Sequence, residues 1–138
     1  FLGDHGVKGD LAVYIPYYIS PNPRRVLRDV LYRLSGYMLR RKWVREDAKA
    51  LNYDLSLPFM RSIVQEKTPL SRKLVRSPLG MLLTRAASAL AAFGEPRTVE
   101  ERLRHIVELG PRILVGLPIK ESEEQVHAFS RCLAAVLP

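Results

Sequence analysis

The sequence predicts a mainly α protein: one compact bundle of about six helices, carrying a small two-stranded β element made from sequence-distant segments. Three observations predict it. Apolar residues recur at helical spacing in most segments longer than ten residues. Several of those segments open on a hydroxyl cap, a capping box or a proline suited to the first helical turn. Only two short stretches are β-branched and aromatic enough for strands. The chain has 138 residues, 47% of them apolar and 26% charged, so a single domain over 1–138 should bury roughly two-thirds of its surface.

Residues 1–20 read as an edge strand or a processed, irregular N-terminal segment, and the chain opens on Phe1, as a processed chain or a piece of a longer one would. Leu11 to Ile19 (LAVYIPYYI) suits a strand, with Pro16 restricting it to an edge or a bulge. The turn Ser20 to Pro23 ends it. From Arg24 the period becomes helical, and Val26, Leu27, Val30, Leu31, Leu34, Tyr37 and Met38 fall in one arc that should face the core. Arg41 and Arg45 return to the apolar side, so this helix should end or bend near residue 40, aided by Gly36.

Arg45 to Leu51 reads as a short helix, and Phe59, Met60, Ile63 and Val64 support another beginning near Leu57. Thr68-Pro69 and Ser77-Pro78 each place a hydroxyl cap before a proline and predict two further helix starts. The second should run through the small-residue stretch Met81 to Phe93 and stop at Gly94 and Pro96. Thr98-Val99-Glu100-Glu101 is a capping box and Gly110-Pro111 a stop, which predicts a helix over Val99 to Leu109 burying Leu103, Ile106 and Val107. Arg112 to Ile119 is the second strand, interrupted by Pro118. Ser122-Glu123-Glu124-Gln125 caps a last helix burying Val126, Phe129 and Leu133.

Charge carries the functional signal. The formal net charge is +8, and residues 24–78 hold all of the excess, while residues 79–138 balance to zero. Arg24, Arg25, Arg28, Arg33, Arg40 and Lys42 lie on the arc opposite the apolar one, with Tyr32 and Trp43 among them. Arg and Lys neutralise phosphates and release counterions, and interleaved aromatic rings stack on bases, so this face suits nucleic acid, single-stranded by preference. Arg72, Lys73 and Arg76 extend the surface if a groove forms between their segment and the first helix. The expected function is therefore non-catalytic nucleic-acid binding by a small subunit or accessory domain of a nucleoprotein complex, with other protein subunits as further partners. In size, charge and helicity the chain resembles the small basic helical subunits of CRISPR interference complexes. A protein-interaction or self-assembly module docking an acidic partner through the basic helix is the alternative.

Other classes find little material. One cysteine, Cys132, excludes a disulfide framework and a Cys-based zinc site, and reads as a small buried hydrophobe. No apolar run approaches the roughly 20 residues of a membrane span, and a cytoplasmic location with no export is expected. No phosphate-binding glycine loop or hydrolase nucleophile motif occurs. The pairs Glu124/His127 and Glu101/His105 have helical spacings used by di-iron bundles but lack further partners, so no metal, cofactor or catalytic residue is expected. Gly3-Asp4-His5-Gly6, followed by Ile15-Pro16-Tyr17-Tyr18-Ile19-Ser20-Pro21, resembles the metal-ligand segment and later strand of alkaline-phosphatase-like metallohydrolases. That resemblance, over about 20 residues, implies metal ligation by Asp4 and His5 in a fragment of such an enzyme. The family's nucleophile and other ligands have no counterparts here, and a turn built on Gly3, Gly6 and Gly9 is the reading adopted.

Overall fold

The computed structural model describes residues 12–64 and 69–138. Asp4, His5 and the rest of the metallohydrolase-like segment before residue 12, and the expected cap Thr68, lie outside the described residues. The chain is mostly helical, in the order β1 (Ala12–Ile19), α1 (Pro23–Leu39), α2 (Lys42–Ala50), α3 (Leu57–Ile63), α4 (Arg72–Arg76), α5 (Pro78–Leu90), β2 (Ala92–Gly94), α6 (Pro96–Glu108), β3 (Ile113–Pro118) and α7 (Glu123–Val136). It is not the expected bundle with a two-stranded element. Three strands form a wholly parallel sheet in the order β2-β1-β3.

The sheet divides the core in two because side chains alternate along β1. Tyr18 faces a cluster with Val26, Val30, Leu31, Met38, Val44, Met60 and Leu83, drawn from α1, α2, α3 and α5. Ile15, Tyr17 and Ile19 face a second cluster with Ala92, Val99, Leu103, Phe129 and Cys132, drawn from β2, α6 and α7. Helices thus cover both faces, as parallel strands require.

β1 is the central strand, which corrects the expectation of an edge, yet Pro16 obeys the rule that predicted one. Tyr17 accepts from Ile119 of β3, and Ser20 donates to Gly94 at the end of β2. Odd residues of β1 therefore turn their backbone groups to β3 and even ones to β2. Pro16 turns its nitrogen toward β2, whose pairing begins only at Tyr17, so its absent N–H leaves no acceptor unmatched. By the same alternation the nitrogen of Pro118 points to the open edge of β3.

The third strand was missed because an Ala-rich run reads as helix. α5 stops at Leu90, Ala91 is extended, and Ala92 is 2% exposed beside Tyr17. Burial against β1 overrides helix propensity there. Gly94 then takes φ +122°, a conformation L side chains rarely adopt. Pro96, expected as a stop, instead opens α6 at its first turn. The helix consequently starts earlier than the Thr98 box predicts, and Thr98 is not its cap. Likewise Ser71, not Thr68, caps α4, and α2 begins at Lys42, three residues before the expected Arg45. Ser77 and Ser122 cap α5 and α7 as predicted.

Gln125 is the largest surprise in α7. Its capping-box role would turn its side chain back to Ser122, but it is buried and bridges to β1. Its Oε1 accepts from Ile19 N at 2.8 Å, and its Nε2 donates to Ile19 O at 2.6 Å. Val126, expected in the core, is 49% exposed, while Phe129 is buried and stacks on Tyr17 at 4.2 Å between ring centroids. Gly116 of β3 gives that ring room, since a Cβ there would sit 2.5 Å from Phe129 Cε1.

Two stability measurements check this arrangement. Gln125→Ala leaves a buried N–H and C=O without partners, and urea unfolding should show a loss of about 2–4 kcal/mol. Gly116→Ala forces Phe129 off Tyr17, and a loss of about 1–3 kcal/mol is expected in the same assay.

Candidate nucleic-acid interface

α1 starts where β1 ends, which fixes the direction of its basic face. Ser20 Oγ accepts from Asn22 N at 3.3 Å, and Asn22 Oδ1 accepts from Arg25 N at 3.2 Å as the N-cap, with Pro23 in the first turn. Val26, Leu27, Val30, Leu31 and Met38 are buried as predicted. The helix ends at Leu39, and Arg45 of α2 donates from Nη1 to Leu39 O at 2.6 Å, satisfying one of its last carbonyls. The break anticipated near residue 40 is therefore a corner between two helices. Trp43 belongs to the second of them.

The exposed side of α1 carries Arg25, Tyr32, Arg33, Gly36, Tyr37 and Arg40, in which Tyr32, Gly36 and Arg40 follow one another at four-residue steps and Arg25 lies two turns before Tyr32. Arg25, Arg33 and Arg40 stand about 10–12 Å apart along the axis. Tyr32 is 40% exposed. The ion pairs shown among the described residues are Arg28–Asp29, Lys42–Glu46, Arg85–Asp47 and Arg97–Glu101. None of them involves Arg25, Arg33 or Arg40. The acidic run Glu121, Glu123, Glu124 borders α7, in the helix layer on the other face of the sheet.

Four candidates stand differently from their sequence reading. Arg28, expected among the exposed cations, is 6% exposed. It pairs with Asp29, whose other oxygen accepts from Tyr18 OH at 3.0 Å. Its charge is used inside the fold, because one turn separates it from Leu31 and two from Ser35, both buried. Trp43 is 36% exposed with the Arg85 guanidinium 5.2 Å from its ring centre, and Arg85 in turn pairs with Asp47 at 2.6 Å. Lys42, though exposed, has Glu46 at 3.6 Å. Arg24 is half-buried in the first turn of α1.

Tyr37 was assigned to the core and is 59% exposed, with Arg40 5.6 Å from its ring centre. It sits at the margin of the apolar arc, where periodicity cannot separate a buried from an exposed ring. Arg72, Lys73 and Arg76 are exposed on α4, which packs chiefly on α5 and touches α1 at most slightly. They form a separate cationic surface. A cleft of about 830 Å³ between α2, α4 and α5 is lined by Leu51, Val75, Pro78, Met81 and Leu82 and is mostly apolar apart from Thr84 and the Asp47–Arg85 pair, so it does not match a polyanion.

Glu101, His105, Glu124 and His127 are all exposed, and no cluster of three or more His, Cys, Asp or Glu occurs among the described residues. Cys132 is buried with its Sγ 3.6 Å from Pro96 O. Burial pushes its thiol up, and the Glu100 carboxylate adds to this. No described helix is long and apolar enough to cross a membrane.

The buried tyrosines give a test of the β1–α1 junction. Burial raises the phenols of Tyr17 and Tyr18 above 10, and for Tyr18 the hydrogen bond to Asp29 raises it further. A raised native pKa favours the native state while the phenol keeps its proton, so stability should be complete below pH 10 and fall as the pH rises through the native values. Ultraviolet titration should show two of the six tyrosines ionising late, and Tyr18→Phe should remove one of them.

No protein-family model matches the chain, and neither a curated protein nor a solved structure does, so the chemistry of this face is what points to a function.

Proposed function

We infer that this domain binds single-stranded nucleic acid without catalysing a reaction, as a subunit or accessory domain of a nucleoprotein assembly. The observation that carries the reading is the outer face of α1, where Arg25, Arg33 and Arg40 lie exposed and without an ion pair among the described residues, with Tyr32 and Tyr37 between them. An excess of +9 within residues 24–78 would cost self-repulsion in a protein with no anionic partner. Guanidinium groups suit phosphate oxygens, and exposed phenol rings offer sequence-tolerant stacking. Arg24, Lys42 and Trp43 border the face at the two ends of α1. Arg72, Lys73 and Arg76 would serve a longer strand that reaches α4. Arg28 has no part in it.

The exposed Tyr32 and Tyr37 rings among the cations offer stacking that only unpaired bases can use, which favours a single strand over a duplex. The test is a salt-titrated anisotropy assay with labelled single- and double-stranded DNA and RNA. Binding should be tightest for single strands and fall log-linearly with salt, by about 0.7 in slope for each phosphate neutralised. Changing Arg25, Arg33 and Arg40 together to Glu should weaken binding about 100-fold or more and flatten the slope by about 2. Equal affinity before and after the change overturns the proposal. An acidic protein co-purifying with the parent chain, with no oligonucleotide bound at low salt, would favour the docking of an acidic partner on the same helix.

A further inference from the structure

Gly36 is a poor choice for its position on internal grounds. It lies within the seventeen-residue helix α1, where Gly is the worst helix former after Pro. A Cβ added there meets nothing within 4 Å, and the residue is exposed, so neither packing nor a positive φ requires it. Gly80 and Gly116 are different, since a Cβ at either would strike Leu74 O or the Phe129 ring.

What surrounds Gly36 is specific. Tyr32 and Arg33 lie one turn before it, Arg40 one turn after, and Tyr37 beside it, all exposed. Arg40 stands 5.6 Å from the centre of the Tyr37 ring, against which it can brace. The bare backbone of Gly36 thus lies between two pairs of a ring and a guanidinium, Tyr32 with Arg33 one turn before it and Tyr37 with Arg40 after it.

The geometry points to a seat for one unpaired nucleobase: the base lies over the Gly36 backbone against Tyr37 and Tyr32, with the phosphates on either side of it at Arg33 and Arg40. This rests on the reading of α1 as a single-strand-binding face and adds a contact site to it. Glycine is needed because a methyl group would lift the base off the helix and out of reach of the rings.

The test uses a fluorescein-labelled twelve-residue oligo-dT and an abasic strand of the same length. Gly36→Ala should raise the melting temperature by about 2–5 °C, because it favours the helix where space is open. The same change should weaken oligo-dT binding about tenfold with the salt slope unchanged. Tyr37→Ala should act likewise and Tyr37→Phe should not, since stacking needs only the ring. On the abasic strand, Gly36→Ala and Tyr37→Ala should have no effect. If Gly36→Ala binds oligo-dT as the parent does, or lowers the melting temperature, the seat is overturned. Loss of binding in the Arg25, Arg33, Arg40 triple change alongside normal binding by Gly36→Ala would discard the seat and keep the nucleic-acid reading. Absence of binding by the parent chain at low salt would discard both.

Discussion

The last three residues of β1 hold the two halves of the molecule together. Tyr17, Tyr18 and Ile19 are each no more than 5% exposed, and there β1 has strand neighbours on both sides or their equivalent. Toward β2, Tyr17 to Ile19 pair with Ala92 to Gly94. Toward β3 the ladder runs out at Pro118, and the Gln125 amide takes over, bonding both the N–H and the C=O of Ile19. Buried peptide groups must find partners, so the fold closes only if α7 delivers its first turn to that point. The same residues split the core: Tyr18 anchors the α1 layer, while Tyr17 and Ile19 anchor α6 and α7.

Local signals in the sequence served well where one residue type does one job. Ser77 and Ser122 cap the helices they were expected to cap, and the apolar period of α1 named most of its buried residues, because both depend on contacts within a few positions. The larger errors come from residues whose role is set at a distance. Ala92 looks helical until Tyr17 lies beside it. Gln125 looks like half of a capping box until Ile19, 106 positions away, supplies two partners. Arg28 looks exposed on a wheel, but Asp29 and Tyr18 together make a buried site for it. Pro16 predicted an edge correctly in chemistry and wrongly in topology, since a strand can be central overall and unpaired at one residue.

The candidate face was legible in outline for the same reason. Charge imbalance between segments is additive and needs no tertiary information, so the excess in residues 24–78 could be read directly. Which cations remain exposed could not, because that depends on what α1 packs against. The structure withdraws Arg28 from the face, brings Tyr37 to it, and leaves Trp43 around the corner on α2. Asp29, the one anion in the basic run from Arg24 to Arg45, turns inward to Arg28 and Tyr18. Its charge is matched by that of Arg28, which leaves Arg25 and Arg33 without an ion pair among the described residues.

Where the fold does not offer a site also bears on function. In open parallel sheets, ligands bind beyond the carboxyl ends of the strands, at the point where strand order reverses. Here the chain passes from β1 to β2 on one side and then to β3 on the other, which puts that point between β1 and β3. Gln125 occupies it, and its amide satisfies the backbone groups of Ile19 that a small ligand would need. Beside that point a cleft of about 650 Å³, lined by Pro118, Glu121, Ser122, Glu123, Val126 and His127, is acidic and suits no polyanion, so the contacts a polyanion could use lie on the other outer surfaces. Among these, α1 presents a helix about 25 Å long with low concavity and repeated cations. Such a surface gives a compact metabolite little enclosure, but it gives an extended polyanion several contacts of the same kind in succession. A flexible strand can use them one after another, at an entropic cost offset by counterion release.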